Sequence, residues 1–247
     1  MKTFRVMLKT ELKLSLRGMD MLIFAIIMPL VVLLIIGMIF GGKLAFEGAE
    51  YTFLDQSFGA LATISICAGG VMGLPLVVSD YRGRKILKRF RATPVSPAMI
   101  LIVQVAIYTL YSAISLILLY LTANMFFGFQ MRGSFVHFLG GYILVIFSMF
   151  SLGMMVGGIA PDTKSAGVIA SLLYFPMLIF SGATLPYEIM PPAFQTVANV
   201  LPLTQGIKIL KAACLGLPPE NAAVPALIMA ALAVICVTVS FLFFKWE

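Results

Sequence analysis

Six stretches of this sequence run for at least about 20 residues, the length that crosses a bilayer as a helix, without Asp, Glu, Lys or Arg. They are residues 21–42, 57–79, 98–123, 134–159, 165–185 and 222–244, and His137 near one end of the fourth is the chain's lone histidine. Backbone polar groups in hydrocarbon find no water, so apolar runs of this length must satisfy themselves as helices. Composition agrees: 61% of the residues are hydrophobic and 11% charged, against about one-quarter charged in a soluble domain. That excludes a soluble core, a disordered chain and a disulfide scaffold. The first stretch is too long for the apolar region of a signal peptide, and no small-residue cleavage site follows it. The expected fold is an all-α integral membrane protein with six transmembrane helices.

The net charge of +7 could suggest nucleic acid, but its distribution points elsewhere. Lys2, Arg5, Lys9, Lys13 and Arg17 precede the first stretch, and Arg82, Arg84, Lys85, Lys88, Arg89 and Arg91 follow the second. With Lys164 and Lys245 they place thirteen cations on one side of a six-span chain, against Lys43, Arg132, Lys208 and Lys211 on the other. The positive-inside rule then puts both termini in the cytoplasm. The excess is a topology signal, and no nucleic-acid partner is expected.

Three segments are not spans. In residues 2–17, Phe4, Leu8, Leu12 and Leu16 form an i,i+4 row joined by Met7 and Leu14, with the five cations on the opposite arc. Such a helix lies in the membrane interface against lipid headgroups, as a simple anchor or also as a brace for a cytoplasmic partner. Glu11 falls inside the apolar arc, where a lone carboxylate calls for a basic partner. Residues 80–97 place Ile86, Leu87 and Phe90 on a small apolar face amid six cations and end at Pro94 and Pro97. This reads as a short cytoplasmic helix whose face docks in a protein groove. Residues 185–221 are apolar, but Pro186, Pro191, Pro192, Pro202, Pro218 and Pro219 divide them into pieces of about 9 and 14 residues, too short to span. Pro192 suits a first helical turn, Thr204 can cap the second piece and Gly216 can end it. Re-entrant helices dipping in from outside, or a surface loop with two amphipathic turns, both fit.

A search for chemistry returns little. With one His and the separated Cys67, Cys214 and Cys236, no metal site or disulfide is expected. There is no phosphate-binding loop, GxSxG or HExxH. The uncharged stretches carry only Thr63, Ser65, Gln104, Ser112, Ser115, Ser148 and Ser151 as mild polar groups. Their lack of ionisable groups disfavours ion-coupled transport and most membrane-embedded enzymes. A pathway lined by such groups would suit an amphipathic cargo. Gly37 with Gly41, Gly69 with Gly73 and Gly153 with Gly157 allow close helix approach, within one subunit or at a dimer seam. Pro29, Pro75 and Pro176 are expected kinks.

Two strings resemble one family. Asp80-Tyr81-Arg82-Gly83 leads to Lys88-Arg89-Phe90-Arg91-Ala92-Thr93-Pro94-Val95-Ser96-Pro97, and Ser181-Gly182 leads through Pro186 and Met190-Pro191 to Leu201-Pro202-Leu203-Thr204. With the six-span layout, these resemble the type-two ABC transporter permeases, the exporters of drugs and cell-surface polysaccharides. The resemblance implies that residues 1–20 are an amphipathic connecting helix, carrying Arg5, Lys9, Glu11, Lys13 and Arg17. Residues 21–247 would form one six-helix permease domain. It implies a coupling helix at 80–97 that seats in a separate ATPase subunit through Tyr81, Arg82, Gly83, Ile86, Leu87, Phe90 and Arg91. Where the family often has Thr after the Gly, this chain has Arg84 and Lys85. It also implies a re-entrant extracellular gate at about 186–216, formed by Ser181, Gly182, Pro186, Pro191, Gln195, Pro202 and Thr204.

The same resemblance implies that the partners are an ABC ATPase, a second permease subunit (same or related chain) and membrane lipid. ATP and magnesium would be used by the ATPase, with no cofactor on this chain, in a bacterial plasma membrane. The cargo would be a drug, peptide or lipid-like molecule moved outward. A polysaccharide or lipid-linked glycan exporter is the rival within the family, and an ATPase-independent channel or secondary transporter the rival outside it.

Overall fold

The computed structural model describes residues 2–46, 48–86, 97–183, 187 and 190–243. Among them the regular structure is helical, apart from one isolated antiparallel bridge between Leu44 and Thr52. The helices are α1 (Lys2–Gly18), α2 (Ile23–Phe40, entered through a turn at Asp20–Leu22), α3 (Phe53–Gly83), α4 (Pro97–Phe127), α5 (Phe135–Ile159), α6 (Thr163–Phe180), α7 (Pro192–Val200), α8 (Pro202–Leu215) and α9 (Glu220–Phe243). Six of them, α2 to α6 and α9, are long and apolar enough to cross a membrane. Pieces of 9 and 14 residues form α7 and α8, as the proline spacing predicts.

The second span is longer than its uncharged stretch: α3 runs for 31 residues. Thr52 starts it with a reciprocal cap, its hydroxyl accepting from the Asp55 N–H at 3.1 Å while Asp55 Oδ2 accepts from the Thr52 N–H at 2.9 Å. Two otherwise orphaned donors are satisfied at once, and the Asp55 side chain is held in a buried position. At the far end, Asp80 to Gly83 continue α3 rather than opening the separate short helix expected at residues 80–97. The helix stops where Lys85 adopts a left-handed conformation (φ 58°). Met19 does the same between α1 and α2 (φ 54°), turning the chain from the first helix into the first span.

Pro29 and Pro75 each follow a π-helical stretch, Ile23–Ile27 and Ala68–Gly73. Widening the helix there accommodates a ring that would otherwise strike the carbonyl one turn back. Pro176 lies inside α6.

Most of α3 is buried. It packs against α2, α4, α5, α6 and α8, while α9 closes over α5 and α8. The glycine pairs serve this packing. A Cβ on Gly157 would meet Val78 Cβ at 2.9 Å and Pro75 Cα at 3.1 Å, and one on Gly73 would meet the Tyr108 ring at 2.8 Å. Gly153 abuts the Gly70 carbonyl, and Gly37 and Gly41 abut Phe127. Of the two readings of these pairs, packing within the subunit is the one observed.

Candidate functional site

Two polar clusters lie at opposite ends of α3, a helix whose 31 residues at about 1.5 Å each separate them by roughly 45 Å. The first joins α1 to the spans. Phe4, Met7, Leu8 and Leu12 pack against the core, and α1 rests on α4. Leu14 and Leu16, part of the expected apolar row, are instead exposed, at 54% and 45%. Glu11 sits on the inward side. Its Oε2 accepts from the Tyr81 hydroxyl at 2.5 Å and from Gln104 Nε2 at 2.9 Å, and Gln104 also donates to the Tyr81 oxygen at 3.2 Å. The basic partner expected for Glu11 is therefore replaced by two neutral donors. One turn on, Tyr111 donates to Ser15 Oγ at 2.8 Å. A cavity of about 400 Å³ lies beside the cluster, bordered by Glu11, Asp80, Tyr81, Gln104 and Thr163.

Arg82 is buried (8% exposed) and donates through Nη1 to the Gly158 carbonyl at 2.5 Å, on the last turn of α5. The last carbonyls of a helix lack intrahelical partners and carry partial negative charge, so a guanidinium is well matched there. Tyr81 and Arg82, expected on an outward coupling surface, thus direct their side chains into the chain's own packing. Gly83 is exposed and Ile86 half-buried. Leu87, Phe90 and Arg91 lie outside the described residues. Arg5, Lys9, Lys13 and Arg17 are exposed along α1, opposite the packed face, as the pattern predicts.

The second cluster surrounds α7 and α8. Gln195 donates to the Tyr187 carbonyl at 3.2 Å and the Met190 carbonyl at 3.0 Å, which ties α7 to the segment before it. Asn199 donates to the Tyr187 hydroxyl at 2.8 Å and accepts from Lys208 Nζ at 2.7 Å. That ammonium also lies 5.4 Å from the Tyr187 ring centroid, and burial pushes its pKa below the ordinary lysine value. Pro191 and Pro202 sit at the helix starts, Gly216 (φ 69°) ends α8, and Gly182 is also left-handed at φ 95°. Ser181 is buried and accepts from the Ala183 N–H at 3.3 Å. Thr204 is not a cap: α8 begins earlier, with Leu201 in the capping position, and the buried Thr204 hydroxyl has no partner among the described residues. Pro186 lies outside the described residues.

The mild polar groups of the spans are buried, and several bond back to their own helix. Thr63 donates to the Ala60 carbonyl at 2.7 Å, Ser151 to that of Phe147 at 2.7 Å, and Ser148 to those of Leu144 and Met229 at 2.8 and 2.9 Å. Sequence reasoning missed the Arg82–Gly158 contact and the buried Asp55. The second was signalled by the Thr-Phe-Leu-Asp string at residues 52–55, which has capping-box spacing.

A family model described as ABC-2 type transporter matches residues 2–215, which covers α1 through α8. The chain belongs to that family. Parts of the permease are also similar to individual relatives. It is 39% identical over 71 residues to Nodulation protein J of Rhizobium leguminosarum bv. viciae, covering 29% of this chain and 27% of that protein. It is 29% identical over 85 residues to Inner membrane transport permease YhhJ of Escherichia coli (strain K12), covering 34% of this chain and 23% of that protein. The chain thus matches about a quarter of the length of these curated relatives. The matched region is a membrane transport domain rather than an ATPase, and the permease is a multi-pass protein of the plasma membrane.

Proposed function

We propose that this permease is the membrane half of an ATP-driven exporter that moves an amphipathic or hydrophobic molecule (drug, peptide or lipid-like) out of the cell. Residues 80–97 seat in a cleft of a separate ATPase subunit, and α1 lies beside them as the connecting helix. A second permease subunit completes the transporter. The termini are cytoplasmic, by the charge distribution of the connecting segments, and α7 and α8 re-enter the membrane from outside near the exit.

The observation that carries this reading is the Glu11–Tyr81–Gln104 cluster. Tyr81 lies on the last turn of α3, directly before residues 87–96, so a push on that segment reaches α1 and α4 through hydrogen bonds rather than through lipid. Nucleotide acts by binding the closed ATPase pair more tightly than the open one, which shifts the permease between its two states. Near the start of α3 the aromatic rings stack on one another, with Phe58 and Phe129 centroids 4.2 Å apart. These rings are occupied in packing rather than lining a wide pathway, which does not favour a glycan cargo.

The test is purification in mild detergent followed by reconstitution. A co-purifying ATPase, and efflux of an amphipathic dye that needs ATP and stops when the ATPase is inactivated, are the expected results. Dye efflux from permease-only vesicles at the same rate would replace this reading with a channel or secondary transporter.

A further inference from the structure

The cavity at the other end of α3 has no part in the coupling reading. It encloses about 310 Å³ between the first turn of α3, the residues after α6 and one face of α8. Two side chains in its wall, Gln56 (8% exposed) and Thr204 (1% exposed), are buried, and among the described residues neither Gln56 Oε1 nor Thr204 Oγ1 has a hydrogen-bond partner. A buried polar atom without a partner is costly, and two on one cavity wall indicate that something else supplies the bonds.

Lys208 contributes charge to the same wall. The partners described for its ammonium, the Asn199 side-chain oxygen and the Tyr187 ring, are both neutral. Among the described lining residues there is no carboxylate. A compact ammonium beside a hydroxyl donor suits a phosphate oxygen, lysine acting there as a point charge. A side-chain amide oxygen suits the opposite kind of group, a hydroxyl that donates.

We infer that this cavity binds a phosphate esterified to a polyol, with Lys208 and Thr204 donating to the phosphate and Gln56 accepting from a polyol hydroxyl. The group could arrive as the headgroup of phosphatidylglycerol or as a soluble polyol phosphate, and the two sources are separable.

The experiment places the intact permease in nanodiscs and follows acetylation of Lys208 by a water-soluble amine reagent, using peptide mass spectrometry. The exposed Lys164 on α6 serves as an internal reference for surface charge. Phosphatidylcholine discs are compared with discs containing phosphatidylglycerol, and with phosphatidylcholine discs to which glycerol 3-phosphate is added. Slowing of Lys208 relative to Lys164 by about fivefold is expected at four times the dissociation constant. Slowing in the phosphatidylglycerol discs assigns the lipid source, and slowing with glycerol 3-phosphate alone assigns the soluble one. Thr204→Val and Gln56→Met should each abolish the protection. Unchanged Lys208 reactivity in both arms, or full protection retained by both variants, would overturn the inference.

Discussion

The Tyr81 hydroxyl donates to the Glu11 side chain at 2.5 Å, joining positions 70 residues apart in the chain. Gln104 closes the triangle from α4. Hydrogen bonds to a carboxylate contribute about 1.5–3 kcal/mol each, and losing one partner of a buried pair forfeits more than losing both. Glu11→Ala should therefore lower stability by about 2 kcal/mol or more, since it removes the acceptor of the Tyr81 hydroxyl and leaves Gln104 only its longer bond to the Tyr81 oxygen. Glu11→Gln, which keeps an oxygen acceptor, should fall between wild type and the alanine variant. Thermal unfolding in detergent, followed by the loss of monodisperse protein, reads the order. Identical midpoints for all three proteins would show that the cluster holds nothing.

Arg82 supplies the second link out of the last turn of α3, through the Gly158 carbonyl at 2.5 Å. Arg82→Met removes the donor but keeps much of the apolar stem, leaving a carbonyl at the α5 terminus without its cation. A loss of about 1.5–3 kcal/mol is expected, with Arg82→Lys recovering part of it because a lysine still donates. If Arg82→Met and wild type unfold alike, the arginine is a solvated charge and the contact is incidental.

The spans were legible because a 20-residue uncharged run has few other fates. The proline spacing likewise foretold α7 and α8, and Gly216 their end. What stayed hidden were charges inside helices. A search for uncharged runs stops at Asp55 and Asp80, yet α3 passes through both, because Asp55 caps backbone and Arg82 finds a carbonyl on another helix. Such partners are tertiary and leave no mark within a window of sequence. Glu11 is the intermediate case: its place in an apolar arc announced a partner, but not that the partners would be neutral. Thr204 looked like a cap because it precedes a plausible helix, whereas Pro202 had already begun one.

The glycines of α5 separate packing from permissiveness. A Cβ on Gly157 meets Val78 and Pro75 atoms at 2.9–3.1 Å, whereas one on Gly140 meets nothing within 4 Å among the described residues. Gly157→Val should cost about 1–3 kcal/mol or prevent folding, with expression and thermal stability both reduced. Gly140→Val is expected to be indistinguishable from wild type. Comparable losses in the two variants would place the α5 interface somewhere other than on α3.

Sidedness can be read with one cysteine. Cys67, Cys214 and Cys236 are all buried, and burial pushes the Cys214 thiol up to about 12, so the wild-type background should react little. The Gln195 side chain is occupied with the Tyr187 and Met190 carbonyls. Val200, 81% exposed at the end of α7, is the better position. In intact cells Val200→Cys should react with a membrane-impermeant maleimide, while a cysteine at the exposed Lys13 reacts only after lysis. The reverse pattern would invert the topology and move α7 and α8 to the cytoplasmic face.

The coupling segment gives the decisive functional variants. Phe90 and Leu87 form the apolar face read from the sequence, within a stretch whose cations have no need of one. Phe90→Ala and Leu87→Asp should each reduce ATP-dependent export by an order of magnitude or more, as about 1.4 kcal/mol of lost docking already implies tenfold. Membrane insertion should be unaffected, since both residues lie in the cation-rich stretch of sequence between the second and third uncharged runs. ATPase activity measured on the assembled transporter should persist while export falls, which is the signature of uncoupling rather than of misfolding. If both variants export at the wild-type rate, the ATPase engages some other surface, and the exposed basic arc of α1 (Arg5, Lys9, Lys13 and Arg17) becomes the next one to mutate.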